Sequence, residues 1–279
     1  MTTDLQNARP ARLGAVGLGG RPRVRRPKRR RSKVRALVGL AGIVFGLAIW
    51  QLLGGTKIVD PLYVSTPVDV LRAGQGLLGE GELTSNALVT LKEWATGFGL
   101  AVLVGVPLGM MMGWRLRFRQ TLEPLLTALY VTPALALLPI VVLAFGIEEA
   151  SKIVLVFIEA VITIIVNSMA GVRETDPRLV CAARSFTAGD LAVFGKVLFP
   201  SALPTIVAGL RLGAGRAVIA VILAELYAGT AGLGQLISTY GQNFSTAPLL
   251  FLTLLVGAFG YSVSALLRAL EVSLTKWKV

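Results

Sequence analysis

Histidine is absent from the 279 residues, and cysteine occurs once, at Cys181. The first absence removes His-based catalytic triads, histidine metal sites and imidazole proton shuttles together. A lone thiol cannot close an intrachain disulfide, so the sequence leaves the redox compartment open. Charge is scarce as well. Only 15% of residues are Asp, Glu, Lys or Arg, against roughly 25% in an ordinary soluble domain. With 54% hydrophobic residues and a mean hydropathy of +0.71, the chain cannot cover its own surface with polar groups. These shortages argue against a soluble enzyme. They point to an all-α, polytopic membrane protein.

The 28 Lys and Arg outnumber the 15 Asp and Glu, but they are unevenly spread. Twelve precede residue 36, where Asp4 is the sole acid. So Pro- and Arg-rich a segment, 1–35, cannot bury enough apolar surface to fold alone and is expected to be disordered. A nucleic-acid arm and a juxtamembrane tail facing anionic lipid both fit that composition. The lipid reading is preferred, with no nucleic-acid partner. No small-x-small cleavage site follows the first apolar run, so the tail reads as cytoplasmic, ahead of an uncleaved helix.

A spanning helix needs about 20 predominantly apolar residues. Six segments qualify: Ala36–Leu53, Val89–Trp114, Leu122–Ile147, Ile153–Met169, Ile206–Tyr227 and Leu249–Leu270. With the N-terminus inside, 22 Lys/Arg fall on the inner side and four on the outer, so both termini are expected in the cytoplasm. Gly42/Gly46, Gly105/Gly109 and Gly209/Gly213 repeat at the four-residue spacing that lets helices approach closely. Internal packing is preferred over a dimer seam. Pro107, Pro133 and Pro139 fall inside spans and free backbone carbonyls there.

The longest inner loop, 171–204, carries the most information. Asp176-Pro177 is a helix start, with Leu179, Ala182, Ala183 and Phe186 following at helical spacing. Thr187 and Asp190 have the spacing of a capping box opening a second short helix, which Pro200 is expected to end. Two short helices around a corner, directly before a span, can pass force from a soluble partner into the membrane.

This loop resembles the cytoplasmic motif of permease subunits of bacterial ABC importers, in which Glu-Ala-Ala is followed at fixed spacing by Gly and by an apolar-x-Leu-Pro ending. Here Cys181-Ala182-Ala183, Thr187 and Val197-Leu198-Phe199-Pro200 keep that spacing but replace the Glu, the Gly and the last Leu. Further fragments are similar to the nitrate/sulfonate/taurine branch: Leu122-Glu-Pro-Leu-Leu, Thr132-Pro-Ala-Leu-Ala-Leu-Leu-Pro-Ile, Ala170-Gly-Val-Arg, Ala208-Gly-Leu-Arg-Leu and Gly232-Leu-Gly. The likeness covers 65–270, read as the permease domain, with 36–54 as a preceding transmembrane helix and 271–279 as a cytoplasmic tail.

The resemblance implies a type I importer permease in a bacterial plasma membrane, paired with a second copy. A cytoplasmic ABC ATPase would bind ATP and Mg, leaving no cofactor in this chain, and an extracytoplasmic binding protein would deliver a small anion such as a sulfonate, taurine or nitrate. Consistently, Gly195-Lys196 lacks the phosphate-cradling pattern, with Asp190 at the first Gly position and Val197 at the hydroxyl position. The resemblance makes Cys181, Ala182, Ala183, Arg184, Thr187, Asp190 and Pro200 the ATPase-coupling residues. Thr187 cannot match the steric freedom of a corner glycine and is expected to cap in extended geometry. An ATP-independent secondary transporter or channel is the alternative.

Intramembrane charge is a functional hypothesis by default. Glu159, Arg211 and Glu225, with Asn167, are candidates for the translocation pathway, and Arg216 is a further cation in the fifth span. Arg211 and Glu225 share a helix face but lie about 21 Å apart. For Glu159, a pathway role and a neutral, hydrogen-bonded carboxyl both stand.

Overall fold

The computed structural model describes residues 30–56 and 65–274. Most of the basic tail, along with Lys276 and Lys278, lies outside them. Of the described residues, those up to Ala48 fall in one unit and those from Ile49 onward in a second. Helix α1 (Arg30–Gly55) begins in the first. Within the residues whose side chains are described its apolar stretch is Ala41–Gly55, and a Cβ added at Gly42 or Gly46 would meet nothing within 4 Å.

In the second unit, α2 (Pro67–Gly79) is capped by the Thr66 hydroxyl, which accepts from the Asp69 amide at 3.2 Å. Then follow α3 (Glu82–Trp114), α4 (Leu116–Val131), α5 (Ala134–Phe145), α6 (Glu149–Arg173), α7 (Pro177–Ser185) and α8 (Asp190–Val193). A π-turn (Phe194–Leu198), α9 (Phe199–Ala228), α10 (Leu233–Gln242) and α11 (Thr246–Leu274) complete the order. Helices α3, α6, α11 and the run Asp190–Ala228 are long and apolar enough to cross a membrane.

The core is α6 held between α3 and α9. Small residues make this approach possible. Gly97, Ala101, Gly105, Gly109 and Gly113 form a ridge at four-residue spacing along α3. A Cβ at Gly105 would lie 3.0 Å from the Ile164 side chain, and one at Gly109 2.7 Å from the Ser168 side chain. From α9, Gly209 backs onto the Asn167 side chain, and a Cβ at Gly213 would lie 3.0 Å from Ile164. The second and third glycine pairs thus serve internal packing.

Two expectations change. The span expected over Leu122–Ile147 is broken: α4 and α5 meet at a 99° bend. Pro133 supplies no N–H, and Thr132 before it is held extended (ψ 123°), so helical hydrogen bonding cannot cross the junction. The described residues therefore give four crossing helices, or five with the bent pair as one. Conversely, Pro200 does not end a helix. It sits in the first turn of α9, inside an unbroken helical run from Asp190 to Ala228. The Phe199 amide bonds back five residues to the Phe194 carbonyl, and this wider π-turn accommodates the proline.

Candidate functional site

The loop between α6 and α9 is braced by charge. The Asp176 carboxylate caps α7, accepting from the Arg178 amide at 2.8 Å. At the corner, Arg184 donates to one oxygen of Asp190 at 2.7 Å, and Arg115, from the α3–α4 junction, donates to the other at 2.8 Å. Arg115 also stacks on the Trp114 ring (4.2 Å), which meets the Phe194 ring at 5.1 Å. Asp190 therefore ties the two halves of the loop to α3. Arg115 and Trp114 are far away in sequence, and no local pattern marked them.

Thr187 differs from expectation. Its φ is +59°, the left-handed conformation for which a β-branched residue pays most, and its hydroxyl donates to the Phe186 carbonyl at 2.7 Å. It does not cap α8, whose N-cap is Gly189 with no side-chain bond. The backbone at this corner has the geometry of a glycine although the residue is threonine.

The apolar side chains of the loop divide. Val180 and Ala183 pack inward against a cluster including Val193, Leu198 and Ala202. Leu179, Phe186 and Leu191 remain outside, the last two 85% exposed. Cys181 and Ala182 are exposed beside them. The expected apolar face of α7 is thus split between core and surface.

A second polar group sits where α4 bends into α5. Glu159 on α6 pairs with Arg216 on α9 at 3.6 Å, and Arg216 lies 5.0 Å over the Tyr130 ring on α4. Tyr130, Thr132, Glu159 and Arg216 line one small recess there. The structure therefore separates the four pathway candidates. Arg211 pairs with Glu271 of α11 at 3.0 Å. Asn167 donates to the Thr163 carbonyl of its own helix at 2.8 Å while packing on Gly209.

Glu225 belongs to a buried clamp at the end opposite the loop. Its carboxylate accepts from the Thr90 hydroxyl and the Gly234 amide, each at 2.7 Å. Thr90 accepts in turn from the Leu233 amide, and Asn86 from the Gly232 amide. These bonds fasten the start of α10 to α3 and α9. Gly232 has φ +107°, and a Cβ there would collide with the Glu225 carboxylate. Beside them Lys152 and Glu93, 2% and 0% exposed, pair at 3.5 Å. Lys152 is thus the cation that compensates the buried Glu93 carboxylate, at a distance on the edge of hydrogen-bond range.

Residues 105–276, more than half of the chain and covering the braced loop, match the model of the binding-protein-dependent transport system inner membrane component family. The chain belongs to that family. It is a permease subunit of an ABC importer and a multi-pass membrane protein. A Bacillus subtilis protein described as an aliphatic sulfonates transport permease is 32% identical over 83% of this chain and 84% of its own length. The taurine transport system permease protein of Escherichia coli is 31% identical over 83% and 86%. In solved structures the fold recurs in an inward-facing methionine ABC transporter, MetNI, with TM-score 0.64 at 19% identity, covering 70% of this permease and 96% of that chain. In this permease, the clamp gives the sequence Gly232-Leu-Gly234 a physical reason: both glycine amides donate to side chains of other helices, and neither position has room for a Cβ.

Proposed function

We propose that this permease forms a homodimeric translocation pathway for a small sulfonate-like anion, driven by a separate cytoplasmic ATPase that docks on loop 171–204. The observation that carries it is the loop itself. A corner clamped by Arg115 and Arg184 through Asp190 resists bending, while Phe186 and Leu191 stand uncovered on it. A stiff mount with an exposed apolar tip suits a partner that pushes, and apolar anchors of this kind dominate binding energy at interfaces. In this reading the chain crosses six times with both termini cytoplasmic, and the binding protein meets it on the far side. ATP and Mg stay with the ATPase.

The pathway runs past Tyr130, Glu159 and Arg216, where the α4–α5 bend opens backbone beside a half-exposed ion pair. The sulfonate and taurine relatives support the substrate class, and the guanidinium of Arg216 offers the planar donor fork that an oxyanion accepts. The test is purification of the tagged chain from native membranes in mild detergent. A near-stoichiometric ATPase bearing a Walker motif should accompany it and be lost from the Phe186→Ser/Leu191→Ser variant, with the melting temperature unchanged. Retention of that ATPase by the variant refutes docking at this tip. Arg216→Gln should abolish taurine or alkanesulfonate uptake while leaving ATPase capture intact; unchanged uptake removes the pathway assignment.

A further inference from the structure

A groove of about 650 Å³ lies between α9 and α11, away from the coupling loop's tip and from the Glu159–Arg216 recess. Its polar lining is Arg211, Arg268, Tyr261, Ser264 and Ser273, and the remainder is alanine and valine. Arg211 is held by Glu271 at 3.0 Å. Arg268 is exposed and forms no ion pair among the described residues. The groove therefore presents two guanidiniums against one carboxylate. Beyond it the α11 surface is apolar and uncovered: Leu254, Leu266 and Val272 are 56%, 65% and 61% exposed.

We propose that this groove is a binding site for an anionic phospholipid, its phosphate held by Arg211 and Arg268 and its acyl chains lying along α11. Three features select that occupant. The charge calls for an anion, and guanidiniums bind phosphate in a bidentate manner. The apolar face continuing from the basic rim suits an amphiphile better than a free ion. The groove lies at the loop-bearing end of both helices, since Arg211 sits on the half of α9 that leaves the loop and Arg268 near the described end of α11. In the proposed orientation that end faces the leaflet whose anionic lipids attract basic residues. The twelve Lys/Arg of the N-terminal segment carry the wrong sign of charge for this site.

The experiment is native mass spectrometry of the full-length permease, delipidated in detergent and titrated with phosphatidylglycerol or phosphatidylcholine of identical acyl chains. Phosphatidylglycerol should be retained at the lower concentration. Arg268→Gln should weaken that retention about fivefold, the loss expected for one basic residue near a lipid surface, and leave phosphatidylcholine unaffected. Arg268→Lys keeps the charge but not the bidentate fork and should retain only part of the preference. Arg72→Gln, on α2 at the opposite end, should keep all of it. Equal retention of the two lipids, or an unaltered preference in Arg268→Gln, overturns the proposal. Displacement of phosphatidylglycerol by millimolar inorganic phosphate overturns it in favour of a soluble-anion site. If Arg268→Gln splits a permease dimer into monomers, the groove belongs to the second copy and the lipid assignment falls.

Discussion

The sharpest prediction concerns Thr187, because its sign is decided by backbone geometry. At φ +59° an L-residue is disfavoured by about 1–2 kcal/mol. Glycine avoids that cost but loses about 0.5–1 kcal/mol more than alanine through the freedom of the unfolded chain. In the left-handed region Thr187→Gly should thus be more stable than Thr187→Ala by about 0.75 kcal/mol from the mid-values, and by at most about 1.5, whereas at an ordinary helical or extended corner the order would reverse. The hydroxyl bond to the Phe186 carbonyl does not enter the comparison, since both variants lack it. For a domain of this size the difference amounts to about 1–4 °C in melting temperature. The assay is thermal unfolding of the full chain in mild detergent, with amide exchange at residues 186–190 reporting the corner locally. Glycine should melt above alanine, asparagine should fall between them, and protection at the corner should follow the same order. Alanine equal to or above glycine refutes the left-handed corner, and with it the claim that the loop keeps a glycine geometry under a threonine.

Three further outcomes follow from the buried clamp and the brace. Lys152→Met strips the paired cation from the buried Glu93, and should cost about 3–5 kcal/mol, with part recovered in the Lys152→Met/Glu93→Gln double variant; a single variant melting like the native chain would show that the pair is not buried. Gly232→Ala puts a methyl into the Glu225 carboxylate at a positive φ, so expression in the membrane should fall sharply, and normal yield and melting would mean α10 is docked otherwise. Asp190→Asn keeps the shape of the brace but weakens both arginine contacts, each exposed and screened by water, so the melting temperature should change little. ATPase stimulation by substrate-loaded binding protein should nonetheless decline, and unaltered stimulation would show that the brace does not serve coupling.

Much of this architecture is legible in one dimension, for physical reasons. Membrane spans announce themselves because hydrocarbon demands long apolar runs, and α3, α6, α9 and α11 each contain an expected segment. The glycine ridges were legible because close helix approach requires small residues at helical spacing, and the start of α7 because Asp-Pro satisfies a helix N-terminus by local chemistry. Helix α10 was missed: it is short, and its docking depends on Asn86, Thr90 and Glu225, which lie elsewhere in the chain. The break at Thr132-Pro133 was hidden because proline inside a span permits either a kink or a near right-angle bend, and only neighbouring helices select between them.

Among charged residues the division is cleaner still. The sequence singled out Glu159, Arg211, Arg216 and Glu225 by the cost of their charges in an apolar setting. Which of them is structural and which lines a recess depends on partners more than fifty residues away: Glu271 for Arg211, Thr90 for Glu225, Glu159 and Tyr130 for Arg216. Composition by itself determined that this chain belongs in a membrane. Tertiary packing alone decided where its charges are spent, because a Coulomb or hydrogen-bond partner is set by distance in space, which sequence separation does not encode.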